Sequence, residues 1–350
     1  MTFLSAFAGL GNAYRRLLGV ALAVAGPALA YRITAWLALA LYRSLEPLSM
    51  RTRSQCRAAM RGRLPEEEID RIAEQSFVHR IWNLTDLMLA DRWLHPGTYH
   101  RYGGRIPQEF SDLLLQARAA RHPVILVTAY YGPYDLLPVF LGYNGVRVTA
   151  VYRRHPNRVF DAFRTAVRSR SGCEMVPVER AAGRLTEVLE QGGVVALVAD
   201  HDAPSRGIPT SFLGLPTRTP PVVAILAQRY SATVAVAGVR RLHDRFRFEI
   251  HVADVIRPEQ WRGCPDPAGY ITRRYQEALE RIVLADPVQY LWAQDRWGTH
   301  HRRPVKGSAT LDAVQRPGLR VRGRRKGERN NLSGANRCLR NGALPGPTEN

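Results

Sequence analysis

The densest group of chemically capable side chains in the 350-residue sequence is Val127-Thr128-Ala129-Tyr130-Tyr131-Gly132-Pro133-Tyr134-Asp135. Three further segments carry polar groups that could meet it. These are Val151-Tyr152-Arg153-Arg154, Asp200-His201-Asp202 and Tyr290-Leu291-Trp292-Ala293-Gln294-Asp295-Arg296-Trp297. A histidine flanked by two acids can serve as a general base, because its pKa lies near neutral. His201 fits that description, and an equally simple reading has Asp200 or Asp202 holding it for structural reasons. Arg153 and Arg154 could clamp a phosphate through their planar forks, or one could pair with Asp135 or Asp161. Trp292 and Trp297 read as packing groups.

Other chemistries find less support. There is no G-x-S-x-G elbow, and no glycine-rich dinucleotide fingerprint follows a strand. Asp200-His201-Asp202 alone makes a poor metal site, since adjacent strand residues point to opposite faces. No metal and no cofactor is expected. Cys56, Cys173, Cys264 and Cys338 lie far apart with no C-x-x-C pair, which disfavours a zinc site or a disulfide scaffold.

The elements that must position these groups are legible in outline. Val124-Ile125-Leu126-Val127 is a continuous apolar run, the pattern of a strand buried on both faces. Further strands are expected at 146–151, 174–178, 194–198 and 232–239, with an alternating, half-exposed one at Phe246, Phe248, Ile250 and Val252. Helical segments are expected at 157–170, 181–191, 220–230 and 268–285. Another should start at Leu64-Pro65-Glu66-Glu67-Glu68 and run through Ile69, Ile72, Phe77, Ile81 and Leu84. Strand and helix in alternation predict an α/β fold with a mainly parallel central sheet flanked by helices. The chemically capable segments then lie at strand ends, where open sheets of this class place their ligands.

Ahead of that sheet, Leu17 to Leu41 is almost wholly apolar, interrupted by Pro27 and Arg32 and flanked by Arg15, Arg16 and Arg43. It reads as a membrane-associated helix lying in or dipping into the headgroup layer, with its basic flanks cytoplasmic; a buried hairpin is the alternative. The predicted organisation is an anchor over 1–50, an α/β domain over 51–304 and a basic tail over 305–350. Fifty Lys and Arg against thirty Asp and Glu give a formal charge of +20, which favours an anionic partner. An anionic membrane surface suits the apolar N-terminus. Nucleic acid does not, because no helix-turn-helix, zinc finger or aromatic RNA-binding pattern accompanies the charge.

In order and spacing these blocks resemble the late acyltransferases of lipid A biosynthesis, within the lysophospholipid acyltransferase superfamily. Thr128, Gly132, Tyr134 and Asp135 match the first block, and Tyr152 and Arg153 the second. Asp161, Arg168, Arg170 and Gly172 match a helical block, and Asp200, His201 and Asp202 a strand end. Phe212, Gly214, Tyr290, Trp292, Arg296 and Trp297 complete a similarity covering roughly residues 15 to 304. The resemblance implies transfer of a fatty acyl group from acyl carrier protein or acyl-CoA to a membrane lipid acceptor, at the cytoplasmic face of the cell inner membrane. It implies catalytic roles for positions 130 and 135 in an H-x4-[DE] motif, with His201 beside them. It implies substrate contacts by Gly132, Tyr134, Arg153, Arg170, Asp200 and Arg296.

Two positions depart from the pattern. Tyr130 stands where the family has its catalytic histidine, and Gln294 where the closing block usually has histidine. A phenol, with a pKa of about 10, holds its proton too tightly to be an efficient base at neutral pH. Three accounts stay open: His201, with His155 behind it, has taken over as base; Tyr130 donates a hydrogen bond or ionises beside Arg153; or the chain is a non-catalytic lipid-binding homologue.

Overall fold

The computed structural model describes residues 19–298 apart from 22, 23 and 204; the basic tail expected over 305–350 lies outside the described residues. Its centre is a six-stranded sheet in the order β3-β2-β4-β1-β7-β8. The strands are β1 (Val124–Thr128), β2 (Val148–Tyr152), β3 (Glu174–Pro177), β4 (Val194–Val198), β7 (Thr233–Arg241) and β8 (Phe248–Ile256). All neighbours are parallel except β7 and β8, which pair antiparallel across a register shift at Val236/Ala237. The mainly parallel α/β class is therefore observed. β1 is buried along its length, and its side chains alternate between two cores. Ile125 and Val127 face one, Val124 and Leu126 the other.

The first core is closed by α7 (Ala181–Glu190), α8 (Val222–Tyr230) and α10 (Pro267–Ala285). The second is closed by α1 (Pro27–Ser44), α5 (Leu137–Tyr143) and α6 (Arg158–Ser169), with Phe110 and Leu114 of α4 (Gln108–Ala119). Between α1 and the sheet runs α3 (Glu66–Trp93), 28 residues and so about 42 Å long. Its first turn carries Glu66, Glu67 and Glu68 against the positive end of the helix dipole, as the sequence pattern suggested. Ile69 and Ile72 enter one core, and Phe77, Ile81 and Leu87 the other.

The N-terminal reading is revised in detail. The apolar stretch is not one helix kinked at Pro27. It breaks at Gly26, whose φ of 81° and ψ of 157° suit only glycine, and α1 starts afresh with Pro27 in its first turn. α1 then buries Ala30, Tyr31, Ala38 and Tyr42 against the body of the protein, while Leu29, Ile33 and Trp36 remain exposed. The boundary placed at residue 50 falls inside α2 (Glu46–Met60), whose Cys56, Ala59 and Met60 join the first core. Among the described residues no helix is long and apolar enough to cross a membrane.

α1 is tied down by a buried polar cluster. Asp86 of α3 accepts short hydrogen bonds from the Tyr31 hydroxyl and the Arg241 guanidinium. Arg241 also meets His79 Nδ1 at 2.7 Å and donates to Asn83 Oδ1 at 2.8 Å, with its cation over the Tyr31 and Trp82 rings. Asp86 and Arg241 have no exposed side-chain surface.

An antiparallel hairpin, β5 (Ile208–Phe212) and β6 (Leu215–Thr219), was not foreseen. Its two-residue turn, Leu213-Gly214, has φ of 53° and 81°, positive at both positions as tight hairpins require. Leucine is an unusual first residue there. Its amide donates to Glu280 of α10 at 2.9 Å, and its side chain is buried, which offsets the unfavourable backbone. α9 (Pro258–Trp261) is a single turn leading into α10.

Candidate active site

The parallel strands β1, β2 and β4 all end at one edge of the sheet, and a cavity of about 580 Å³ opens there. One part of its wall is apolar, with Leu137, Ala150, Met175, Val178 and Ile225 among its residues. Another is cationic, with guanidinium groups from Arg80, Arg153, Arg154 and Arg206. Tyr130, Tyr134, Asp135 and His201 stand on the same wall. The cavity lining thus combines apolar side chains with guanidinium groups.

Tyr130 follows β1 and sits on a sharp turn. Its carbonyl accepts from Leu291 N at 2.9 Å, and Gly132 N donates to Gln289 O at 2.9 Å, so the closing block lies against it like a short strand. Gly132 has φ of 52°, and a Cβ there would come within 2.0 Å of the Val239 carbonyl oxygen. Gly132 is therefore a turn residue pressed on β7, and it does not line the cavity as the family comparison suggested. Asp200, buried at the end of β4, accepts from Tyr130 N at 3.1 Å and from Gln294 Nε2 at 2.7 Å through the same oxygen. The two departures from the family pattern, Tyr130 and Gln294, therefore meet on one carboxylate. Asp200 holds the turn from beneath and is not part of the cavity wall.

The Tyr130 hydroxyl lies 3.2 Å from His201 Nε2, and the two rings are edge to face. Burial pulls the His201 pKa down against the Asp200 charge, so the ring is neutral at pH 7 and Nε2 can accept the phenolic proton. Burial, with Tyr134, Asp200 and Asp135 nearby, pushes the Tyr130 phenol up despite Arg153. Ionisation of Tyr130 beside Arg153 is thereby disfavoured, and of the two groups His201 is the one able to accept a proton at neutral pH.

Asp135 does not serve position 130 in the way H-x4-[DE] implies. Its carboxylate is held by Arg168, through a short contact, and by Arg164 Nη2 at 3.1 Å. Burial pushes the Asp135 carboxyl up, but the two guanidinium groups outweigh it and keep it below the usual carboxylate range. Arg164 and Arg168 lie four residues apart on α6, and so on one face. That spacing was visible in the sequence, but the carboxylate it served was not.

The remaining expectations divide. Arg153 and Tyr134 line the cavity, and among the described residues Arg153 has no ion pair; burial pushes the Tyr134 phenol up to about 12. Arg154 approaches Glu179 at 3.8 Å. Arg170 turns away and pairs with Asp91 on the surface, so it is a helix–helix tie and not a cavity residue. Arg296 is 1% exposed and is likewise off the cavity wall. It donates to the His201 carbonyl, to Thr219 Oγ1 at 2.9 Å and to Gln276 Oε1 at 3.1 Å, with its cation over the Phe212 ring. These contacts tie it to the His201 backbone and the β5–β6 hairpin. His155 accepts from Asn157 N at 3.1 Å beside the start of α6.

Sequence reasoning missed Arg80. It projects from α3 into the cavity wall, its pKa is lowered by burial, and among the described residues it has no ion pair. A lone arginine inside a helical apolar pattern carries no signal of what it faces. Thr128 Oγ1, also on the wall, is buried and has no hydrogen-bond partner among the described residues. No group of three or more His, Cys, Asp or Glu among those residues could hold a metal ion.

A search of curated proteins finds no match. A family model described as bacterial lipid A biosynthesis acyltransferase matches residues 16–299, which includes every strand of the sheet and every residue of the cavity wall. The chain belongs to the bacterial lipid A biosynthesis acyltransferase family.

Proposed function

We propose that the protein transfers a fatty acyl group from a thioester, carried by acyl carrier protein or acyl-CoA, to a hydroxyl or amine of a membrane lipid, with His201 as base. The observation that carries this reading is the neutral His201 within hydrogen-bond distance of the Tyr130 hydroxyl, on a cavity both apolar and cationic. The apolar wall suits the acyl chain. The guanidinium groups of Arg80, Arg153 and Arg206 suit phosphate, which both a carrier's prosthetic arm and an anionic lipid supply. Purified protein given labelled acyl carrier protein or acyl-CoA, with a panel of lysolipids and lipid A precursors, should yield labelled lipid. Failure on every pair would leave the non-catalytic lipid-binding reading in its place.

The setting we propose is the cytoplasmic face of the inner membrane, with α1 in the headgroup layer. Trp36 is 72% exposed, and Leu29 and Ile33 share its face with Arg32, as an interfacial helix requires. Wild-type protein should float with anionic phospholipid vesicles. Ile33→Glu with Trp36→Glu should weaken that partition by about tenfold or more, from the apolar area each residue would bury. Equal flotation of the variant would remove α1 as the contact.

A further inference from the structure

We propose that Tyr130 is the acceptor of a first half-reaction, forming an acyl ester on its phenolic oxygen that the lipid acceptor then discharges. The inference rests on the acyl-transfer reading and specifies its course. A hydroxyl with a histidine nitrogen in hydrogen-bond reach, the histidine itself held by a further group, is the arrangement of an activated nucleophile. Tyr130 Oη and His201 Nε2 at 3.2 Å supply the first two parts, and Arg296, which donates to the His201 carbonyl, holds the histidine in place. Tyr134 lines the same cavity, but among the described residues no histidine hydrogen-bonds its hydroxyl.

The residue change itself argues for this course. Histidine at position 130 would take a proton directly from the acceptor lipid. A phenol there is a poor base, and its oxygen occupies the hydrogen-bonding position on His201 Nε2, at 3.2 Å, that an acceptor's hydroxyl would otherwise take. The chemistry balances without any further reactant. His201 Nε2 takes the phenolic proton as Tyr130 Oη bonds to the thioester carbonyl carbon. The C–S bond breaks, and the proton passes from His201 to the departing sulfur, which leaves as a thiol. In the second half, His201 takes the proton of the lipid hydroxyl, whose oxygen attacks the aryl ester. The bond to Tyr130 Oη breaks, and the proton returns to it.

A phenol, even one raised by burial as Tyr130 is, is a better leaving group than the alkyl alcohol of serine or threonine. An aryl ester on Tyr130 therefore stays more reactive toward the lipid acceptor than an alkyl ester on serine or threonine would be. The Thr128 hydroxyl, without a hydrogen-bond partner among the described residues and two residues away on the wall, and the Arg153 guanidinium are available to the carbonyl oxygen as it gains charge.

The test uses the full chain and dodecanoyl-CoA, first without a lipid acceptor. The expected result is release of one thiol per chain in a burst and a one-dodecanoyl mass increase on the tryptic peptide 122–147. Fragmentation should place the group on Tyr130, and adding a lysolipid should discharge it. Tyr130→Phe, which removes one oxygen and keeps the ring, should lose the adduct and at least about 100-fold of turnover. Tyr130→His should turn over with neither burst nor adduct. Wild-type turnover without an adduct, together with a Tyr130→Phe variant within tenfold of wild type, would overturn the inference and leave the transferase reading standing. An adduct on Tyr131, Tyr134 or Tyr143 would also overturn it. No thiol release and no product with any donor would remove both.

Discussion

Replacing His201 with alanine is expected to lower acyl transfer by about 100- to 10,000-fold, the usual range for a positioned acid or base. The loss should appear in kcat, since the ring contributes to proton transfer and the cavity walls that bind substrate stay in place. The fold should survive, because Arg296 grips the His201 carbonyl and not its ring. The sign of the pH dependence follows from the direction of the shift. Burial lowers the His201 pKa below its ordinary value of about 6.5, and the neutral form is the working one. Wild-type kcat should therefore rise with pH in the acid range and already be level at pH 7. The same ring contributes stability that is complete above about pH 6.5 and is lost as the pH falls through its lower folded pKa. Steady-state rates between pH 5 and 8 check the first statement. A His201→Ala rate within tenfold of wild type would end its role as base.

The sheet was readable because burial on both faces leaves no room for polar residues. Val124-Ile125-Leu126-Val127 and Val194 to Val198 have that composition, and their strand ends could be found by inspection. The site was readable only in part. Tyr130 and His201 stood out by residue type, and their meeting follows from the adjacency of β1 and β4, which a βαβ order leaves open. Arg296 and Arg170 were misjudged for one shared reason. An arginine near a strand end or a helix end has the same letter whether it faces a ligand, a carbonyl or a surface acid. Arg296 is buried among carbonyl and amide groups, and Arg170 has Asp91 for a partner, 79 residues away. The hairpin β5–β6 escaped because its turn is Leu-Gly and not Asn-Gly, and what stabilises that leucine comes from α10.

Asp86→Ala is expected to destabilise the protein by about 3–5 kcal/mol, because it leaves the Arg241 guanidinium buried without its counter-charge. The Tyr31 hydroxyl loses its acceptor as well, so α1 should loosen first. The effect should also reach the turn that carries Tyr130, by two short routes. Arg241 donates to Asn83 Oδ1, and Asn83 Nδ2 donates to the Gly132 carbonyl at 2.8 Å. Arg241 also exchanges backbone hydrogen bonds with the Gln289 side chain, and the Gln289 carbonyl accepts from Gly132 N. The turn that aims Tyr130 at His201 is thus fastened to the same arginine that anchors α1. Denaturant unfolding of wild type, Asp86→Ala and the double variant Asp86→Leu with Arg241→Met separates the causes. If the buried unpaired charge is what costs stability, the double variant should recover much of the loss, since apolar side chains of similar volume can replace a buried ion pair. A double variant as unstable as the single would mean that the Tyr31, His79 and Asn83 hydrogen bonds, and not the charge, hold α1 and the turn together. A loss below about 1 kcal/mol in Asp86→Ala would mean that packing alone suffices.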